Sequence, residues 1–209
     1  MKQINTLFLA LFCCLSIQLQ AQTEQASVVT NMSHKGTINT NEKAFLQNFL
    51  NVTETDLIKT ILSIDKAIWN KQTNKDTWSM GQCMTHIIQA EKAILGQIKK
   101  TLKAPADNST NLRHKDAWLI SKIADRGRKV KTPLNNAPKA LTQEESIAQL
   151  KQSRKTIKAF LANEDLPLRN HFGRSPYGKA DAYQLFLVIV THSMRHHAQM
   201  MEVMADLKK

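Results

Sequence analysis

Four stretches of the chain repeat apolar residues every three or four positions, which is the spacing of one buried face of an α-helix. In the second stretch, for example, Ile87, Ile94 and Ile98 fall on a single stripe. The last stretch opens with the run YQLFLVIV, whose lack of charge predicts a fully buried helix segment. The predicted helices cover residues 42–64, residues 79–103, a segment from residue 142 onwards, and residues 181–205.

Signals for helix starts agree with this division of the chain. A Ser, Thr or Asp followed three residues later by Glu or Gln forms a capping box, in which each side chain bonds the other residue's backbone N–H. Three pairs have this pattern: Ser79 with Gln82, Thr142 with Glu145, and Asp181 with Gln184.

The remaining segments predict connections between these helices. Residues 104–140 form a long insert with one short helix around 116–125, and residues 163–180 are predicted to be a loop. No internal repeat or strand-period run competes with the helical pattern. We therefore expect an all-α fold, a four-helix bundle with a long insert between the second and third helices.

The N-terminus has the pattern of a secretory signal peptide. Residues 1–21 contain an early lysine, an apolar run that is short for a membrane span, and a polar exit ending at Ala21. Residues 22–40 are polar and aperiodic and are predicted to be a flexible leader before a domain at 41–209. We expect an exported, periplasmic protein, free of the membrane once the signal is removed. Cys83 would be its only cysteine, so no internal disulfide can form.

The net charge of +12 raises the question of nucleic-acid binding. The lysines are scattered along the helices and loops, and aromatic residues make up only 6% of the chain. Because neither a clustered basic face nor a recognition motif accompanies the charge, we expect a solvated basic surface and no nucleic-acid partner.

Histidines concentrate near the end of the last predicted helix. His192 and His196 lie one turn apart on the stripe that continues the buried run, so they face the interior. Such a pair can bind one metal ion, or it can be a hydrogen-bonded part of the core. A third ligand must come from another helix, and His86 is the best candidate. The other histidines are weaker candidates: His197 lies on a neighbouring face, His114 and His171 lie in loops, and His34 lies in the leader.

Two separated motifs resemble the DinB-like (damage-inducible B) superfamily. The stretch TWSMGQCMTHIIQAEKAI is similar to its second helix, and HSMRHHAQ matches the pattern His-x-x-Arg-His-x-x-Gln of its last helix. The resemblance implies a four-helix bundle, often dimeric, in which His86, His192 and His196 bind a divalent metal ion. Zinc is the first expectation for this cofactor, with nickel, manganese or iron as alternatives.

Three neutral imidazoles leave a position open on a divalent ion. An open position can lower the pKa of a bound water to about 7, which serves hydrolysis, or it can bind a thiolate, which serves S-transfer. We therefore expect an exported metal-dependent enzyme, hydrolase-like or thiol-transferase-like, that acts on an unidentified small molecule. The alternative is a non-catalytic metal-binding bundle.

Four further side chains are expected near or beside this site. Gln82 and Gln199 are expected to orient a ligand or a bound water, although Gln82 alternatively serves only its capping box. Arg195 is expected either to hold an anionic substrate or to pair with a carboxylate. Glu91 lies on a different face of its helix from His86 and is expected to support packing or an ion pair. No catalytic base can be assigned from the sequence.

Overall fold

The computed structural model describes residues 36–127, 137–163 and 166–208. The predicted signal peptide, most of the leader and His34 lie outside the described residues. Four long helices form a bundle, which confirms the predicted fold class. They are α1 at Thr40–Ser63, α3 at Met80–Thr101, α5 at Gln143–Leu161 and α6 at Ala182–Asp206.

Shorter elements connect the long helices. They are α2 at Lys66–Trp69, a 3₁₀ turn at Arg113–Lys115, α4 at Asp116–Ala124, β1 at Phe172–Ser175 and β2 at Gly178–Asp181. Of these, α4 is the short helix predicted within the insert. No helix among the described residues is long and apolar enough to cross a membrane.

The segment before α6 differs from the prediction of a plain loop. It contains an antiparallel hairpin, in which Phe172 pairs with Asp181 and Ser175 with Gly178. Each strand has only four residues, too few to reveal a period of two in the sequence. Gly178 has a φ of 103°, a conformation that favours glycine, and it allows the tight return of the chain.

Capping boxes set the beginnings of all four long helices. The three predicted boxes are present at the starts of α3, α5 and α6. A fourth joins Asn39 and Glu42, so α1 begins at Thr40, two residues before the predicted start. Each box satisfies two backbone N–H groups that the first turn of a helix leaves without an intrahelical acceptor.

Helix α6 lies at the centre of the molecule. It packs against α1, α3 and α4, while α5 packs against α1 and α3. Residues 181–190 are all buried, as the YQLFLVIV run predicts. The helix of the insert covers one side of this run, because Leu119 and Ile123 pack on Val188. The insert therefore contributes buried residues to the hydrophobic core.

A buried polar network joins all four bundle helices. Arg154 of α5 is fully buried and forms an ion pair of 2.7 Å with Glu91 of α3. The Arg154 guanidinium also donates to Ser193 of α6 at 3.0 Å and to Thr53 of α1 at 3.1 Å. Pairing and hydrogen bonds of this kind compensate for the loss of water around buried charges. Of the two roles expected for Glu91, packing or an ion pair, the structure shows the ion pair.

Candidate metal centre

Three histidines from two neighbouring helices meet in the bundle. His86 lies on α3, and His192 and His196 lie one turn apart on α6. The Nε2 atom of His192 is 3.2 Å from Nε2 of His86 and 3.1 Å from Nε2 of His196. Ligand atoms of all three rings lie within 4.8 Å of one another, and no thiol or carboxylate of the described residues belongs to the group.

The spacing of these nitrogen atoms fits a shared metal ion. Imidazole nitrogens bind zinc at about 2.0–2.1 Å, so two of them in a tetrahedral site stand about 3.3 Å apart. The separations of 3.1 and 3.2 Å are close to this value. Hydrogen bonds between rings have similar lengths. The protonation of the three rings and the contacts of their other nitrogen atoms therefore distinguish a metal site from hydrogen-bonded rings.

The protonation of the three rings favours metal binding. Burial lowers the pKa of His86 and lowers the pKa of His192 well below its ordinary value of 6.5. For His196, burial and then the neighbouring His86 lower the pKa to about 3. The rings are therefore neutral at pH 7, and a neutral imidazole offers the lone pair that a metal requires.

Gln199 orients one of the three rings. Its Oε1 atom lies 2.9 Å from Nδ1 of His196 and can accept the ring N–H at that position. A proton on Nδ1 leaves the lone pair of Nε2 directed at the centre of the cluster. Gln82 has a different role, because its Oε1 accepts from the backbone N–H of Ser79 and from the side chain of Gln72. Of the alternatives for Gln82, the structure supports the helix cap.

Trp78 forms an aromatic wall beside the cluster. Its ring meets the ring of His86 edge-on at 4.9 Å and stacks on His196 at 6.1 Å. The cluster is largely enclosed, with His86 7% and His196 9% exposed, whereas His192 is half-buried. The sequence by itself did not indicate this contact of Trp78 with two histidines.

Arg195 contacts the end of the insert. Its guanidinium donates to the backbone carbonyls of Ile123 and Asp125, just where α4 ends. Arg126 follows and forms a two-pronged ion pair with Glu202 of α6, with bonds of 3.0 and 2.6 Å. These contacts fasten the insert across α6 beside the histidine cluster. Neither expected role of Arg195 included this one, because main-chain acceptors leave no sequence signal.

The three other histidines among the described residues lie apart from the cluster. His197 contacts the hydroxyl of Thr60 at 2.7 Å, between α1 and α6, which agrees with its placement on another face. His171 bonds the carbonyl of Ala104 at 2.7 Å, and His114 lies on the 3₁₀ turn. Cys83 is fully buried one turn before His86, and burial raises the pKa of its thiol to about 12.

The molecule is thus a helical bundle with a three-histidine cluster shared by two of its long helices. The model of the DinB superfamily matches residues 50–200, so the chain belongs to this superfamily. A solved structure with the same fold is that of YfiT from Bacillus subtilis, described as "a probable metal-dependent hydrolase with an unusual four-helix bundle topology". The two chains are 15% identical, with a TM-score of 0.56 over 82% of this chain and 91% of YfiT. No curated protein matches the sequence.

Proposed function

We propose that this protein is an exported enzyme that uses a divalent metal ion, bound by His86, His192 and His196, to hydrolyse a small molecule. The observation that carries the proposal is the convergence of three neutral imidazoles without a fourth protein ligand among the described residues. Structural zinc sites close all four positions with protein ligands, whereas catalytic sites keep one for water or substrate. A three-histidine set belongs to the second kind.

Each side chain of the site has a distinct proposed role. His86, His192 and His196 would hold the ion, and of these three rings His192 is the most exposed. Gln199 keeps His196 in the tautomer that binds metal, and Trp78 limits the access of water to two of the rings. A divalent ion held there would supply Lewis acidity and would lower the pKa of a bound water. Zinc is the metal we propose, since imidazole is among its usual ligands.

Hydrolysis is favoured over thiol transfer for this site. Both reactions can use the same open position, but low-molecular-weight thiols are reagents of the cytoplasm, and residues 1–21 have the pattern of an export signal. The description of YfiT as a probable metal-dependent hydrolase supports the same choice.

A non-catalytic metal-binding module is the second candidate. The low exposure of His86 and His196 and the ring of Trp78 beside them favour it, because an enclosed ion has little contact with substrate. In that function the ion would fasten α3 to α6 and do no chemistry. A fully metal-loaded protein that hydrolyses no ester, amide or phosphoester would support this candidate over the enzyme.

The ligand assignment is tested by measuring metal content in two variants with neighbouring substitutions. The full chain is expressed, purified from the periplasmic fraction and analysed by mass spectrometry for metal content and for cleavage after Ala21. We expect about one ion per chain in the wild type. His192→Ala should lose it, and His197→Ala should keep it because His197 contacts Thr60 and not the cluster. Equal metal content in the wild type and His192→Ala would overturn the assignment.

A further inference from the structure

A cavity lies between the insert and the hairpin, at the N-terminal end of α6. Its volume is about 640 Å³, within the usual range for small-molecule sites. It includes Gln184, whereas His192 lies eight residues further along the helix, which corresponds to about 12 Å. The histidine cluster is not part of its lining. This cavity is therefore separate from the candidate metal centre.

The interior of the cavity is apolar and its walls are aromatic. Leu112, Leu119 and Ala180 line it and are buried. The rings of Trp118 and Tyr177 stand on opposite elements, α4 and the turn of the hairpin, with their centroids 6.1 Å apart and nearly perpendicular. Trp118 is nonetheless 48% exposed, so much of an indole ring faces the cavity or the solvent. A planar apolar group is the ligand that such walls accommodate.

The polar lining of the cavity carries positive charge. Lys115 and Lys179 contribute to it, and none of the described lining residues is Asp or Glu. Lys179 is held in place by Asp107 at 3.3 Å and by the ring of Phe172 at 4.4 Å. Lys115 has no ion pair within the part of the chain that the structure describes. The ammonium group of Lys179 is thus paired with Asp107, and that of Lys115 is available to a ligand.

Two polar side chains beside the cavity, Gln184 and Asp116, already have partners within the protein. The side-chain amide of Gln184 donates to the carbonyl of Leu112 at 2.8 Å and to Asp116 at 2.9 Å. Asp116 in turn pairs with Arg169 at 2.6 Å. A positively charged ligand would therefore find no open carboxylate among the lining residues, whereas an anion would find the ammonium group of Lys115.

From this combination we propose that the cavity between the insert and the hairpin binds a small organic anion, one with a planar apolar body and a carboxylate, sulfonate or phosphate group. The body packs against the exposed surface of the Trp118 and Tyr177 ring pair, and the acidic group meets Lys115 beside the Lys179–Asp107 ion pair. No bond is made or broken. The proposal does not depend on the metal site.

The probe for this site is 8-anilinonaphthalene-1-sulfonate, compared with its uncharged analogue N-phenyl-1-naphthylamine. Both are titrated by fluorescence into the mature protein. Trp118→Ala should weaken binding of the sulfonate about tenfold, because it removes one aromatic wall. The control is Phe45→Ala, which removes an equally exposed aromatic ring from α1 that does not line the cavity, and it should leave the affinity unchanged.

The requirement for charge is tested with Lys115→Gln in parallel with Lys151→Gln, an exposed lysine on α5. Lys115→Gln should weaken binding of the sulfonate about fivefold and leave that of the uncharged analogue unchanged, while Lys151→Gln changes neither. Treatment with a chelator should not alter the affinity, which separates this site from the metal centre. The proposal is overturned if Trp118→Ala has no larger effect than Phe45→Ala, or if Lys115→Gln affects both probes alike.

Discussion

The two ring nitrogens of His196 have separate tasks. Nδ1 contacts Gln199 at 2.9 Å, and Nε2 faces the cluster at 3.1 Å from His192. This division is possible because the spacing of three residues places Gln199 one turn after His196, on the same side of α6. The side chain of Gln199 therefore controls which nitrogen of His196 carries the proton.

Substitution by alanine should lower metal affinity at Gln199 and folding stability at Gln82. Gln199→Ala should weaken metal binding about 10- to 100-fold, since the His196 tautomer is no longer selected. Gln82→Ala should leave metal affinity unchanged but lower the free energy of unfolding by about 1 kcal/mol, because it breaks the capping box of α3. Competition with a chromogenic chelator measures affinity, and urea unfolding measures stability. A shared loss of metal affinity in both variants would contradict the assigned roles.

At the scale of elements, α3 and α6 form the site because a polar network holds their facing sides together. Ser193, the residue after His192, donates to Glu91 at 3.1 Å and accepts from Arg154 at 3.0 Å. Ser153 adds a bond of 2.6 Å to the other oxygen of Glu91. The network thus fixes the register of α6 next to a proposed ligand.

Removing one partner of the buried ion pair should destabilise the bundle strongly. Arg154→Met or Glu91→Leu alone should each lower the free energy of unfolding by about 3–5 kcal/mol, because each leaves a buried charge uncompensated. The double variant should lose clearly less than the sum of the two, since it buries no charge. Urea unfolding of the four proteins measures the coupling. Additive losses would show that the pair does not act as a unit.

At the scale of the whole molecule, enclosing three neutral histidines makes stability depend on pH. In the metal-free protein the folded pKa of His196 is about 3, and those of His86 and His192 also lie below 6.5. At pH values between these lowered pKa values and 6.5, the histidines bind protons in the unfolded chain but not in the folded protein. The stability that these neutral rings contribute is therefore fully present above pH 6.5 and is lost as the pH falls towards the folded values.

This dependence can be measured on protein stripped of metal with a chelator. The free energy of unfolding should fall from pH 6.5 downwards by about 1.4 kcal/mol per pH unit for each histidine that stays neutral in the folded state. His196→Gln should show a shallower slope, because one such group is gone. Thermal or urea unfolding between pH 7 and pH 4 gives both slopes. Identical slopes for the wild type and His196→Gln would show that His196 is not buried in its neutral form.

The sequence alone determined the features that depend on neighbours along the chain. The apolar period predicts the four long helices, and three capping boxes predict where α3, α5 and α6 begin. The same local geometry places His192 and His196 on one face, because residues four apart in a helix lie one turn above each other. His86 followed from its position on the second helix and from the family resemblance, and not from spacing.

Only the tertiary structure decided which distant groups meet. It brings His86 to His192 across 106 positions of the chain, and it sets Trp78 beside two of the rings. It also turns Arg195 to the carbonyls at the end of α4 and pairs two four-residue strands before α6. Local periodicity carries no information on these contacts, because they arise from how the helices pack against one another. The candidate metal centre therefore rests on one pair of ligands set by helix geometry and one ligand set by packing.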